Sequence, residues 1–287
     1  METLASNVLL DGLVFPEGPR WHDGKLWFSD IHAYKVMAVD LEGRSEVVAS
    51  VPQHPSGLGF LPDGHLLVVS VLDRLLLRLD PDGLHTHADL NVLDSVLPND
   101  MVVNEDGRAY IGDVAFEISA GPPRPGNVIL VTADGNVRLA AEGLSYPNGM
   151  VITPDGKTLI VAETIGRRLT SFDIAPDGSL SGRRPFADLA TGAIGGAHPD
   201  GICLDAEGAV WASSPPTSEF VRVREGGDIT HRIPVPGKWA VACMLGGEDR
   251  RTLFLCTAET TLQGLGQGKS VGWIETVRVD VPGAGRP

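Results

Sequence analysis

One phrase recurs along the chain and limits what it can fold into. A proline is followed by a polar residue, a small residue and two or three apolar residues, and then by a glycine-containing turn and an apolar strand. The copies read PEGPRWHDGKLWFSD from Pro16, PSGLGFLPDGHLLVVS from Pro55, PNDMVVNEDGRAYIGD from Pro98, PNGMVITPDGKTLIVAE from Pro147 and PDGICLDAEGAVWASS from Pro199. A degenerate sixth, AVACMLGGEDRRTLFLCTAE, begins at Ala240. Successive copies start 39 to 52 residues apart, which is the period of a propeller blade.

Each copy reads as short strands around Asp-Gly, Glu-Gly or Gly-Gly turns, which are strong hairpin signals. Behind them come a further apolar segment and a second turn: KVMAVDLEG, LLLRLDPDG, VILVTADG, LTSFDIAPDG and FVRVREGG. Four strands per unit and six units predict an all-β, six-bladed β-propeller, one domain over residues 1–287. A β-sandwich, the competing architecture, requires no such repetition. No stretch sustains a 3.6-residue period, so little helix is expected. The opening segment SNVLLDGLVF precedes the first copy and is expected to complete the last blade, which ends in VGWIETVRVD, removing an exposed edge.

Composition narrows the partners. With 43% hydrophobic and 21% charged residues the chain can bury a core, and it carries 23 basic against 37 acidic residues, a net charge of −14. Such a surface repels phosphate backbones and anionic lipid and concentrates cations, so neither nucleic acid nor membrane is expected as a partner. Three cysteines, Cys203, Cys243 and Cys256, lie among apolar residues and read as buried thiols, not a disulfide framework. METLASNVLLDGLVF lacks a cationic leader and carries Glu2 and Asp11, so a soluble, cytoplasmic monomer without signal peptide is expected.

If the copies superpose, the residue after each proline occupies one place in every blade. Those residues are Glu17, Ser56, Asn99, Asn148 and Asp200, with Val241 in the degenerate copy. Five blades then point a polar group at one ring, beside short apolar strands suited to a central channel. Glu, Asn, Asn and Asp form a hard, all-oxygen ligand set with two negative charges, chemistry that suits Ca²⁺, Mg²⁺ or Mn²⁺. Asx-turns at blade corners would account for an Asn or Asp after proline taken singly. They do not account for Glu17, nor for four such residues in one register.

Other motifs carry less. Gly268-Lys269-Ser270 resembles the end of a phosphate loop, but Gln263 stands where the first glycine is required. His85 and His87 read as a solvated surface turn, lacking further partners for zinc. No G-x-S-x-G elbow is present. His198 falls beside the ring, and TGAIGGAH before Pro199 reads as a loop over the channel mouth. Trp21 and Trp27 are expected to pack between blades, with Phe15 and Trp239 near the mouth.

FPEGPRW, PND with Gly-Arg further on, YPNGMVITPDGKTLIVAET, HPDGICLDAEGAVWAS and ACMLGGEDRRTLFLCTAE resemble, in order, the senescence marker protein (regucalcin) and gluconolactonase family of six-bladed propellers. The resemblance implies a divalent metal held by Glu17, Asn148 and Asp200, with Asn99 beside it. Ca²⁺ is the expected ion, with Mg²⁺, Mn²⁺ or Zn²⁺ as alternatives. It also implies hydrolysis of a lactone or ester, with Asp200 as general base and Asn99 contacting metal and substrate. Sugar-lactone members place an arginine two residues before the third-blade Asn, where Leu97 stands here. The family's substrate-touching glutamate falls at Glu117, followed by the insert EISAGPPRPGN (Glu117 to Asn127), a candidate lid segment. Loss of the guanidinium fork at Leu97 disfavours a polyhydroxylated ring, so a more apolar lactone than gluconolactone is expected. Leu97, Glu117 and His198 complete the expected substrate contacts. Phosphotriester hydrolysis at the same metal, and a non-catalytic calcium- or ligand-binding propeller, are the competing functions.

Overall fold

In the computed structural model, described here for residues 1–116, 122–191 and 196–284, six antiparallel sheets form six blades around a channel. The inner strands are Pro16–His22, Pro55–Phe60, Pro98–Val103, Pro147–Ile152, Ile202–Leu204 and Trp239–Gly246. The first four begin at their repeat's proline and the fifth three residues beyond Pro199, and three strands follow outward in chain order in the first five blades. The expected β-propeller is the observed fold.

Turn chemistry makes the hairpins. Asp23 and Gly24 have φ of 51° and 77°, the positive values that a two-residue type I′ turn needs. These turns lie at the far end of each inner strand from its proline. There they carry Asp23, Asp63, Asp106, Asp155 and Glu207.

Closure follows the expected route. Asn7–Leu13 pairs antiparallel with Val271–Arg278 as the outermost strand of blade 6. Glu2–Thr3 adds a parallel edge to blade 5, a pairing the repeats did not foreshadow. At the far end of the channel, Gly283 N–H donates to Arg250 O at 2.8 Å and Ala284 N–H to Leu204 O at 2.9 Å, so the chain's last described residues cover that opening. Helix is limited to Leu262–Gly266 and two short 3₁₀ turns among the described residues, and no helix there is long and apolar enough to cross a membrane.

The core lies between blades. Leu67, Val69 and Leu76 of blade 2 meet Met101, Ile111 and Ile129 of blade 3, and comparable layers join the other neighbours. Trp21 stacks on Phe254 across blades 1 and 6, centroids 5.3 Å apart, and Trp27 meets Phe60 of blade 2 edge-on at 5.3 Å. Each aromatic pair adds roughly 0.5–1.5 kcal/mol beyond its burial. The three cysteines are buried free thiols, Cys203 and Cys243 with Sγ atoms 3.7 Å apart.

His85 and His87 require a correction. They lie in the outer strand Gly83–Asp89 of blade 2, because the turn expected around them closes earlier, at Pro81–Gly83. His85 Nε2 sits 2.9 Å from Asp82, and Asp80, bound by Arg78, completes a loose cluster.

Candidate metal centre at the channel mouth

Three local features build the ring. First, the ladder between inner and second strands breaks just after the ring residue. Registers shift between Glu17 and Arg20, Pro55 and Leu58, Pro98 and Met101, and Pro147 and Met150. A bulge re-aims side chains, and here it stands at the register position of Glu17, Ser56, Asn99 and Asn148.

Second, the residue after the ring residue must let neighbouring inner strands touch. A Cβ on Gly149 would lie 2.5 Å from Asp200 O, and one on Gly201 2.4 Å from Ala242 Cβ. Gly149 N–H instead donates to Asp200 O at 3.2 Å. The glycine in PNG and PDG is therefore a consequence of channel width.

Third, in blades 1, 3, 4 and 5 the last residue of the second strand clamps the segment entering the inner strand. Asp30 accepts from Val14 and Phe15 N–H, Asp113 from Ser95 Oγ and the N–H of Val96 and Leu97, Glu163 from Ser145 N–H, and Ser214 Oγ from His198 N–H. These residues end the repeated phrases (FSD, IGD, VAE, ASS), so the signal was present in the sequence, although the ring alone was read from it. Burial alone would raise Glu163, but Arg168, Ser145 and Thr170 bonds hold its carboxyl down at about 2.

The register prediction brings the ring residues together. Ser56 Oγ donates to Asn99 Oδ1 at 2.7 Å, Asn99 Nδ2 to Asn148 Oδ1 at 3.1 Å, and Asn148 Nδ2 to Asp200 Oδ1. One hydrogen-bonded arc thus crosses blades 2 to 5. Asn148 Nδ2 also donates to Thr164 Oγ1 at 3.2 Å, so both its amide hydrogens are used, whereas Asn99 keeps one free among the described residues. Glu17 is buried, its Oε2 accepting from Gly18 N–H at 2.6 Å. The Val241 carbonyl, in the degenerate copy, accepts from Gly201 N–H and Ser213 Oγ.

The charges do not balance. Burial and the neighbouring Asp100 push the Asp200 carboxyl up to about 8. Burial, Asp200 and Asp100 hold Glu17 well above the usual carboxylate range. Neither carboxylate is bonded by a lysine or arginine among the described residues, and ionised buried groups this close repel. An all-oxygen set with two uncompensated carboxylates fits a divalent cation, which would offset both charges.

Asp100 and Arg20 were not anticipated. Asp100 occupies the register of Gly149 and Gly201, and the buried Arg20 binds it at 3.1 Å. Leu97 is half-buried beside the ring, its N–H held by Asp113. His198 is half-buried at the mouth, its ring bonded to the Thr164 backbone and facing Arg167. Burial and Arg167 lower its basicity. Phe15 is buried and packs with Trp239 against the core of blade 6, so neither stands free in the mouth. Glu117 and part of the insert after it lie outside the described residues.

A protein family described as SMP-30/Gluconolactonase/LRE-like region matches residues 15–259. The chain is similar to a 6-deoxy-6-sulfogluconolactonase of Pseudomonas putida, 24% identical over 96% of this chain and 94% of that protein. It is 27% identical to an L-arabinolactonase of Azospirillum brasilense over 86% of this chain and 81% of that one. Among solved structures, the calcium-binding protein regucalcin of Agrobacterium tumefaciens superposes with a TM-score of 0.83 at 25% identity, covering 100% of this chain and 98% of that chain. A gluconolactonase of Xanthomonas campestris superposes with a TM-score of 0.72 at 27% identity, covering 94% and 89%.

Proposed function

We propose, from the premise that the chain belongs to the SMP-30/Gluconolactonase/LRE-like family, that it is a divalent-metal-dependent lactonase working at the Glu17–Asn148–Asp200 ring. One observation carries the reading: two carboxyl groups from blades 1 and 5, Glu17 buried and Asp200 half-buried, meet at the channel with no lysine or arginine bonded to either among the described residues. The lactonase relatives supply the reaction class. Glu17, Asn148 and Asp200 would hold the cation, Ca²⁺ first, with Asn99 beside them. Bound there, it supplies Lewis acidity toward a carbonyl oxygen and makes water more acidic.

The protein's own groups divide the remaining work. Asn148 fixes Asp200 through Oδ1, leaving Oδ2 as the general base that takes a proton as water oxygen bonds to the carbonyl carbon. The same proton passes to the ring oxygen when the C–O bond breaks, so water plus lactone gives one hydroxy acid. The free N–H of Asn99 is the amide donor left for the developing oxyanion. Glu17 contributes charge. Leu97, in place of a guanidinium, favours a lactone more apolar than gluconolactone.

The test is turnover of sugar, aliphatic and aromatic lactones alongside a phosphotriester, with and without chelator. Metal-dependent opening of lactones supports the reading. Preferred cleavage of the phosphotriester would reassign the substrate, and no turnover with metal bound would leave a binding propeller.

A further inference from the structure

Tyr146 stands two residues before Asn148 in a backbone conformation that a bulky residue rarely holds. Its φ is 68°, and it precedes Pro147, which itself disfavours helical backbone at that position. The surroundings fix it: Ser145 N–H binds Glu163 Oε2 at 2.7 Å, and Tyr146 O accepts from Thr164 N–H at 3.0 Å. The Phe116 ring meets its ring edge-to-face, centroids 5.7 Å apart at 76°. Strain maintained by this many contacts clusters at functional sites.

The side chain is half-buried, and its hydroxyl has no hydrogen-bond partner among the described residues. Its segment is tied to the ring through Thr164, whose N–H binds Tyr146 O while its Oγ1 accepts from Asn148 Nδ2 at 3.2 Å and donates to Pro199 O, beside Asp200, at 2.8 Å. His54 has the equivalent register position in blade 2 and a φ of 65°, but it packs against His32 and Tyr34 instead.

We propose that Tyr146 is a substrate-binding residue whose O–H donates to the carbonyl oxygen of the bound ester. The proposal rests on the lactonase reading for its substrate class. A neutral phenol is a single donor with a fixed reach, and a bond that strengthens as the carbonyl oxygen gains charge acts on kcat more than on KM.

Tyr146→Phe keeps the ring against Phe116 and removes only the hydroxyl. With dihydrocoumarin as substrate, kcat should fall about 10- to 100-fold, as for loss of a hydrogen bond to a developing charge, with Ca²⁺ affinity and Tm unchanged. A second readout is independent of turnover. δ-Valerolactam, a non-hydrolysed carbonyl analogue, should perturb tyrosine absorbance in the wild type and not in the variant. Of the other two tyrosines, Tyr110 is already bonded to Gly178 O at 2.9 Å and Tyr34 lies exposed. A variant with wild-type kcat, or a spectral change absent from the wild type or retained in the variant, would overturn the proposal. Should the wild type open no lactone yet give the spectral change, the lactonase reading fails while the Tyr146 contact stands.

Discussion

Arg20, on the inner strand of blade 1, binds Asp100, on the inner strand of blade 3, Nη2 to Oδ1 at 3.1 Å with both side chains buried. Three carboxyl groups meet in the channel, and this one guanidinium neutralises the one that stands where other blades carry glycine. Arg20 also donates to the Pro19 and Met101 carbonyls, so it is fully committed there. Glu17 and Asp200 are left as the pair to which no lysine or arginine is bonded among the described residues, the arrangement on which the proposed cation site rests.

Arg20→Met should leave Asp100 as a lone buried charge and cost about 3–5 kcal/mol, measured by urea unfolding. Adding Asp100→Asn should recover most of that loss. Equal instability of the single and double variants would show that Arg20 acts through packing.

Glu17→Gln and Asp200→Asn each remove one negative charge and should weaken Ca²⁺ binding in titration calorimetry. At saturating metal, Glu17→Gln should regain most activity. Asp200→Asn should remain down by about 10²–10⁴-fold, the effect of losing a general base. Equal rescue would make Asp200 a ligand only.

The sequence displayed the fold unusually well, because each blade repeats the same proline, glycine and turn positions and the copies could be laid over one another. The same overlay gave Glu17, Asn99, Asn148 and Asp200. It could not give Arg20–Asp100, since that pair joins blades 1 and 3 across the channel and no local pattern links positions so far apart. Tyr146 was hidden for a different reason: a tyrosine before proline carries no sign that its backbone is left-handed. The placement of His85 failed on a turn that closes at Gly83, earlier than the residues around it suggested.

Leu97 should set substrate preference. Gluconolactone should be opened less efficiently than aliphatic or aromatic lactones, and Leu97→Arg should shift kcat/KM toward the sugar lactone by tenfold or more, since unpaired substrate hydroxyls cost about that much or more. If gluconolactone is the best substrate of the wild type, another residue provides that recognition.

Glu163 ties the Tyr146 segment to acid stability. Its carboxyl lies at about 2 in the folded protein against an ordinary value of 4.5, so its contribution is present above pH 4.5 and is lost as the pH falls toward 2. The contribution is at most about 3 kcal/mol, and less because Arg168 and Arg183 are partly solvated. Glu163→Gln should lower stability at pH 7 and flatten its decline between pH 5 and pH 2. A decline as steep as in the wild type would place the acid-sensitive group elsewhere.

The most direct test is a crystal of the protein soaked in Ca²⁺. A cation should occupy the channel mouth within about 2.3–2.6 Å of oxygens from Glu17, Asn148 and Asp200, with Asn99 as a direct or neighbouring contact. A ring without the ion, or an ion found only at Asp80, Asp82 and His85, would contradict the account.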